Sequence, residues 1–296
     1  MMTPSPYAER LAQIPTTSHS ATIGGADVHW WEYGNPEGRT LVLVHGFRGD
    51  HHGLEPVIAY LDDYRIISPD LPAFGESGPL AGAHSIDGYA TWLHAFIAKI
   101  APPADWVLVG HSFGSIVTSA AVAGGLRPTE LVLINPIGYP ALQGPRAILT
   151  RLATWYYAAS AALPERLGFA LLRSRLIVRV MSVSMAKTNE KELRRFIHDQ
   201  HDRYFSKFHN RGALLDAFRA SVSHDVREYA PAIPLPTLLI AADRDDITPI
   251  TAQRRLVTMF PQAQLVELTK VGHLIHYEQP QAAAGAIRLF LESAHA

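Results

Sequence analysis

Short apolar runs bounded by turn residues recur along the chain at residues 41–44, 65–68, 106–109, 131–134, 237–241 and 264–268. Their length and isolation predict buried β-strands. Between them the spacing becomes helical. In residues 85–100, Tyr89, Trp92, Leu93, Phe96, Ile97 and Ile100 fall three or four apart or side by side, which gathers them on one helix face. Strands alternating with amphipathic helices predict an α/β fold with a mostly parallel sheet covered on both sides.

One stretch breaks the alternation. From 137 to 227 the patterning is helical, with no strand run of comparable quality, and this predicts a helical cap inserted into the core. The core then comes in two parts, 1–136 and 228–296. Prolines mark both joints, Pro136 and Pro140 at entry and Pro231, Pro234 and Pro236 at exit, where they discourage helix continuation. The insert is also basic, with a clear surplus of Lys and Arg over Asp and Glu against an acidic remainder.

Composition narrows the chemistry. With 296 residues, 48% of them hydrophobic, and a formal net charge of −1, the chain can bury a large core and has no global bias toward nucleic acid. It has no cysteine, which excludes disulfides, thiolate metal sites and cysteine nucleophiles. Residues 1–17 lack the basic start and apolar stretch of a secretory signal, so a cytoplasmic location is expected. No run approaches the roughly 18 apolar residues of a spanning helix, so no stable membrane insertion is expected.

The strand at 106–109 runs into Gly110-His111-Ser112-Phe113-Gly114, followed by a helix-compatible run over 115–123. A serine between a strand and a helix, flanked by glycines two residues away on each side, can sit on a sharp turn with its hydroxyl exposed. The helix N-terminus behind it favours negative charge developing there.

On this elbow and its context, the chain resembles the α/β-hydrolase superfamily, specifically its capped serine hydrolases, from about residue 28 to 290. The resemblance implies further parts. The run Val44-His45-Gly46-Phe47 fits the family's His-Gly element and makes the backbone N–H groups of Phe47 and Phe113 the expected oxyanion hole. Asp70-Leu71-Pro72-Ala73-Phe74-Gly75-Glu76-Ser77 resembles a family turn beside the active site, with Ala73 where a glycine is usual. A serine needs a histidine base, and that base needs a carboxylate. His273, in Val271-Gly272-His273 after the last strand, fits the histidine, with His276 as its local competitor. Three carboxylates compete for the acid: Asp243, Asp245 and Asp246. The family's spacing to a proline, counted back from Pro249, favours Asp245. Some relatives carry the acid after the preceding strand, where this chain has Asn135.

Other residues carry weaker signals. His111, inside the elbow, reads as buried and hydrogen-bonded. His51 and His52 follow the oxyanion loop, but adjacent side chains are expected to diverge and no carboxylate partner is evident, so a metal site is not expected. His198, His201 and Asp202 share a helical face and read as a hydrogen-bonded surface. Trp155, Tyr156, Tyr157, Phe196, Tyr204, Phe205 and Phe208 are candidates to line a cavity under the cap or simply to pack there. Arg173, Arg175, Arg179, Arg194 and Arg195 read as a solvated basic surface.

The resulting expectation is a carboxylic-ester hydrolase acting through an acyl-enzyme on Ser112, on a small and partly apolar substrate, with no metal or organic cofactor. Two rivals remain open: carbon-carbon bond hydrolysis of a vinylogous diketone with the same triad, and a non-catalytic small-molecule receptor. Serine at 112 disfavours the dehalogenase and epoxide-hydrolase chemistries, which use aspartate there.

Overall fold

The computed structural model describes residues 3–139 and 147–294. Eight strands form one sheet: β1 (Thr16–Ile23), β2 (Ala26–Gly34), β3 (Thr40–Val44), β4 (Arg65–Pro69), β5 (Trp106–His111), β6 (Glu130–Ile134), β7 (Thr237–Ala242) and β8 (Ala263–Leu268). Their order across the sheet is β1-β2-β4-β3-β5-β6-β7-β8. The β1/β2 and β2/β4 pairs are antiparallel and the rest are parallel.

The six strands read from apolar runs are β3 to β8. In β3, β5, β6 and β7 every residue is buried, because helices cover both faces; β8, at the sheet edge, is only partly buried. In β5, Leu108 belongs to the buried apolar cluster of Trp92, Phe96 and Ile116, while Val107 and Val109 belong to a second one with Ile287, Phe290 and Leu291. The β1/β2 hairpin carries no such run. Most of β1 is exposed, so an antiparallel edge strand leaves no continuous apolar signature. Its turn is Gly24-Gly25, with φ of 60° and 80°, a backbone that glycine adopts without strain.

Four helices precede the insert: α1 (Ala8–Leu11), α2 (Glu55–Ile58), α3 (Ile86–Ile100) and α4 (Phe113–Ala123). Ser85 caps α3, its hydroxyl accepting from Gly88 N–H at 3.1 Å. Between β6 and β7 the chain is helical, as the patterning predicts: α5 (Ala147–Ala162), α6 (Glu165–Leu172), α7 (Arg175–Met185), α8 (Lys191–Tyr204) and α9 (Arg211–Ser223). Here α5 lies against α6 and α9, and α7 against α8. Pro140, expected to mark the entry, lies outside the described residues. After β7 come α10 (Ile250–Leu256), α11 (Ile275–Glu278) and α12 (Pro280–Ser293). Among the described residues, no helix is long and apolar enough to cross a membrane.

This topology brings Phe47, Ser112, Asp245 and His273 to the loops that follow the carboxyl ends of β3, β5, β7 and β8. Those loops open toward the inserted helices, the usual place for ligands in open α/β sheets.

Candidate active site

Ser112 stands between β5 and α4 with φ 52° and ψ −118°, a backbone that an L-residue adopts only under strain. Neighbours hold it there: its N–H donates to Ile134 O at 3.0 Å, and its carbonyl accepts from the Ser115 hydroxyl. The flanking glycines serve close approach. A Cβ on Gly114 would lie 2.3 Å from Val44 O, and one on Gly110 would lie 2.4 Å from Thr118 Oγ1.

Ser112 Oγ lies 2.8 Å from His273 Nε2, and His273 Nδ1 lies 2.7 Å from Asp245 Oδ2. An ionised carboxylate only accepts, so Nδ1 carries a proton and Nε2 is left to accept from the serine hydroxyl. Burial works to raise the Asp245 pKa, but the neighbouring His273 and several hydrogen bonds outweigh it and hold the carboxyl below its ordinary range. Those bonds come from Ile247 N–H at 2.7 Å, Thr248 N–H at 3.1 Å, the Thr248 hydroxyl at 2.8 Å and the Asn135 amide at 3.0 Å. The rival carboxylates are engaged elsewhere: Asp243 accepts from Val271 N–H at 3.3 Å and Asp246 pairs with Lys187.

Phe47 and Phe113 sit beside Ser112, their rings edge to face at 6.3 Å. Phe113 opens α4, so its N–H has no acceptor within the helix. Neither its N–H nor that of Phe47 donates to a protein acceptor among the described residues. His45 fixes the loop ahead of Phe47: its Nδ1–H donates to Gly46 O at 2.8 Å, and Nε2 accepts from Leu71 N–H at 2.8 Å. Burial keeps this ring neutral by lowering its pKa.

The next residue, Arg48, was not singled out by its sequence context. Its φ is 59° and its side chain is buried, with no ion-pair partner among the described residues. Instead its guanidinium donates to Phe205 O at 2.8 Å, Leu172 O at 2.9 Å and the Tyr157 hydroxyl at 3.2 Å. Leu172 ends α6 and Phe205 follows α8, so the cation sits at the negative ends of two inserted helices.

Above Ser112 and His273 lies a cavity of about 1010 Å³. Its wall is mostly apolar, with Ile137, Ala153, Met181, Phe218, Val222 and Met259 among its side chains. Of the two readings open for the cap aromatics, packing holds, except at the exposed Trp155. None of the seven singled out in the sequence lines the cavity; Phe47, Phe113, Tyr139 and Phe218 do. Tyr157 instead stacks on Phe218 from behind, with ring centroids 4.2 Å apart. The Lys187–Asp246 ion pair bridges the inserted helices and the loop of Asp245 at the cavity edge.

For the remaining histidines, two expectations need correction. The rings of His51 and His52 do not diverge: their centroids are 3.9 Å apart, and each has a carboxylate, Asp70 at 2.9 Å and Glu55 at 3.0 Å. A short 3-10 turn started by Asp50 sets both side by side. With Glu55 they place possible ligand atoms within 4.8 Å of one another, but both Nδ1 atoms are already hydrogen-bonded. His198 and His201 form a buried contact, not a surface: both lie at the Ser182 hydroxyl, at 2.6 and 2.7 Å, between α7 and α8. Asp202 pairs with Arg179. His276 packs on His111 with ring centroids 4.1 Å apart, and is not hydrogen-bonded to Ser112.

Comparison with known proteins agrees with this architecture. Residues 41–286 match the Alpha/beta hydrolase family. The uncharacterized hydrolase YugF of Bacillus subtilis is 26% identical over 286 residues, covering 92% of this chain and 96% of that protein. Lipase 1 of Psychrobacter immobilis is 24% identical over 281 residues, covering 92% and 83% respectively. Among solved structures, a thermophilic esterase from Thermogutta terrifontis superposes with a TM-score of 0.75 at 24% identity, over 95% of this chain and 100% of that one. With most of its length matched and its mostly parallel sheet carrying a helical insert, the chain belongs to the alpha/beta hydrolase family.

Proposed function

We propose that this protein is a carboxylic-ester hydrolase that works through an acyl-enzyme on Ser112. The observation that carries this reading is the continuous hydrogen-bonded series Ser112–His273–Asp245 at the floor of an apolar cavity. His273 Nε2 takes the Ser112 proton as Oγ attacks the ester carbonyl, and Asp245 stabilises the imidazolium that forms. The carbonyl oxygen becomes an oxyanion held by the N–H groups of Phe47 and Phe113. The imidazolium then gives its proton to the departing alkoxide, leaving the acyl group on Ser112. Water, deprotonated by the same histidine, attacks the acyl-enzyme; the carboxylic acid leaves and Ser112 regains its proton.

Two further observations support the assignment. Relatives of the chain include a protein named as a lipase, and the cavity has the size and apolar walls of a small-molecule site. The substrate class that fits is a partly apolar ester whose acyl and alcohol parts together fill that volume.

Ser112→Ala and His273→Ala are tested against activated esters of graded acyl length, alongside mass spectrometry of the wild type after a fluorophosphonate. Loss of turnover by several orders of magnitude in folded variants, with an adduct on Ser112, is the expected result. Wild-type turnover in either variant would overturn the mechanism, and an accessible but unlabelled Ser112 would favour a receptor.

A further inference from the structure

The outer side of the inserted helices carries a surface that the proposed reaction does not use. Among the described residues, seven of the ten large hydrophobic side chains left exposed fall between Leu152 and Val183. Leu152 and Trp155 come from α5, Leu167 from α6, and Leu176, Val180 and Val183 from α7, with Leu163 in the turn between the first two. On α7 the three recur at intervals of four and three, which makes one stripe along the helix. A different side of the same helix, with Val178 and Ser182, is buried. The outward stripe is therefore not what packs α7 into the fold. So many exposed large apolar side chains in one short stretch of the chain point to a contact surface.

Charge says what it contacts. Between residues 150 and 185 the sequence has one acidic residue, Glu165, against Arg151, Arg166, Arg173, Arg175 and Arg179. Arg179 is held by Asp202, whereas Arg151, Arg166, Arg173 and Arg175 are exposed and have no carboxylate partner among the described residues. Two copies of such a face would set guanidinium against guanidinium. An anionic bilayer instead offers headgroup charge to the arginines and an apolar layer beneath to the stripe. Trp155, 77% exposed, is the residue type that settles at that boundary.

We propose that the α5–α7 face docks the protein peripherally on an anionic lipid bilayer. Because α7 also gives Met181, Ser184 and Met185 to the cavity wall, docking holds that edge of the cavity beside the membrane. Docking involves none of Ser112, His273 or Asp245, so it stands apart from the catalytic proposal.

The test mixes the full-length protein with vesicles of phosphatidylcholine alone or with phosphatidylglycerol added. The expected result is co-sedimentation with the anionic vesicles at low salt, release at high salt, and quenching of tryptophan emission by brominated lipid. Quenching reports Trp155, since Trp30, Trp31, Trp92 and Trp106 are wholly or partly buried. Leu176→Asp with Val180→Asp, and separately Arg166→Glu with Arg175→Glu, weaken binding at least about tenfold and leave turnover of a soluble ester unchanged. Absence of binding to anionic vesicles, or undiminished binding by both variants, overturns the proposal. So does a wild-type dimer in analytical ultracentrifugation that Leu176→Asp with Val180→Asp dissolves, which would make this face a contact between copies. Ester turnover without vesicle binding overturns docking alone, and vesicle binding without turnover overturns the hydrolase reading alone.

Discussion

Asn135 donates its side-chain amide to Asp245 Oδ2 at 3.0 Å, joining the loops that follow the neighbouring strands β6 and β7. Asn135 is buried, and it occupies the place where some α/β-hydrolases carry the acid of the triad. The two positions therefore meet at one carboxylate. Asp245→Asn is expected to lower kcat/KM on an activated ester by about 10⁴-fold, the scale seen when a triad acid becomes an amide. Adding Asn135→Asp to that variant should recover about tenfold or more. Lack of any recovery in a folded double variant would show that a carboxylate at 135 does not serve His273.

Acid should weaken the fold through buried histidines outside the proposed triad. Burial pushes the pKa of His111 and of His201 down to about 3, and holds that of His276 well below its ordinary value. The unfolded chain takes up protons on these rings near 6.5 while the folded protein does not, so stability is present above that pH and is lost as pH falls toward 3. Between about pH 7.5 and about pH 5 the loss is about 2 kcal/mol for each of His111 and His201. Urea unfolding at both pH values measures it. His201→Gln should remove about one proton from the uptake on unfolding near pH 5; an unchanged slope would mean that this ring is protonated in the folded state.

Ala73 carries strain that its side chain creates. Its φ is 74°, in the left-handed region, and its N–H is fixed by Gly78 O at 2.9 Å. Glycine has no Cβ to clash there, which accounts for the glycine usual at this turn. Ala73→Gly is expected to raise stability by about 1 kcal/mol despite the greater freedom of the unfolded chain. A lower melting temperature for this variant would contradict that account.

Arg48 offers a fourth measurement. Arg48→Met keeps the apolar bulk but leaves Leu172 O, Phe205 O and the Tyr157 hydroxyl without their donor. Stability in urea should fall by about 3 kcal/mol, and kcat should fall more than KM rises, because the residue directly follows Phe47. Arg48→Lys should restore only part of both, since an ammonium cannot span three acceptors in one plane. Full recovery by lysine would reduce the role to charge alone.

What the sequence disclosed follows from which signals are local. The central strands β3, β5, β6 and β7 are readable because burial on both faces makes their residues apolar in succession, while β8, an edge strand, shows only a short apolar run. The elbow glycines are likewise a short-range pattern, whereas the order of Ser112, Asp245 and His273 and the count back from Pro249 rest on the family resemblance, and the structure brings those three residues into one hydrogen-bonded series. The edge hairpin escaped because β1 faces water along most of its length. Arg48 escaped because its partners are main-chain carbonyls and a tyrosine more than a hundred positions away, which no nearby pattern encodes. The cavity's aromatics were not legible for a related reason: aromatic density in residues 155–157 and 196–208 marks packing of the inserted helices onto the core, whereas the cavity draws on single residues from four separate segments.

The lodging of the Arg48 cation at two helix ends bears on how such a protein can evolve. A different set of inserted helices grafted onto this sheet would leave a positive charge stranded in the interior, one residue from the loop that faces Ser112. The insert and the core are therefore not interchangeable parts. A lineage that changes its cap to reach new substrates must also change position 48, and the residue found there should vary with the cap and not with the sheet.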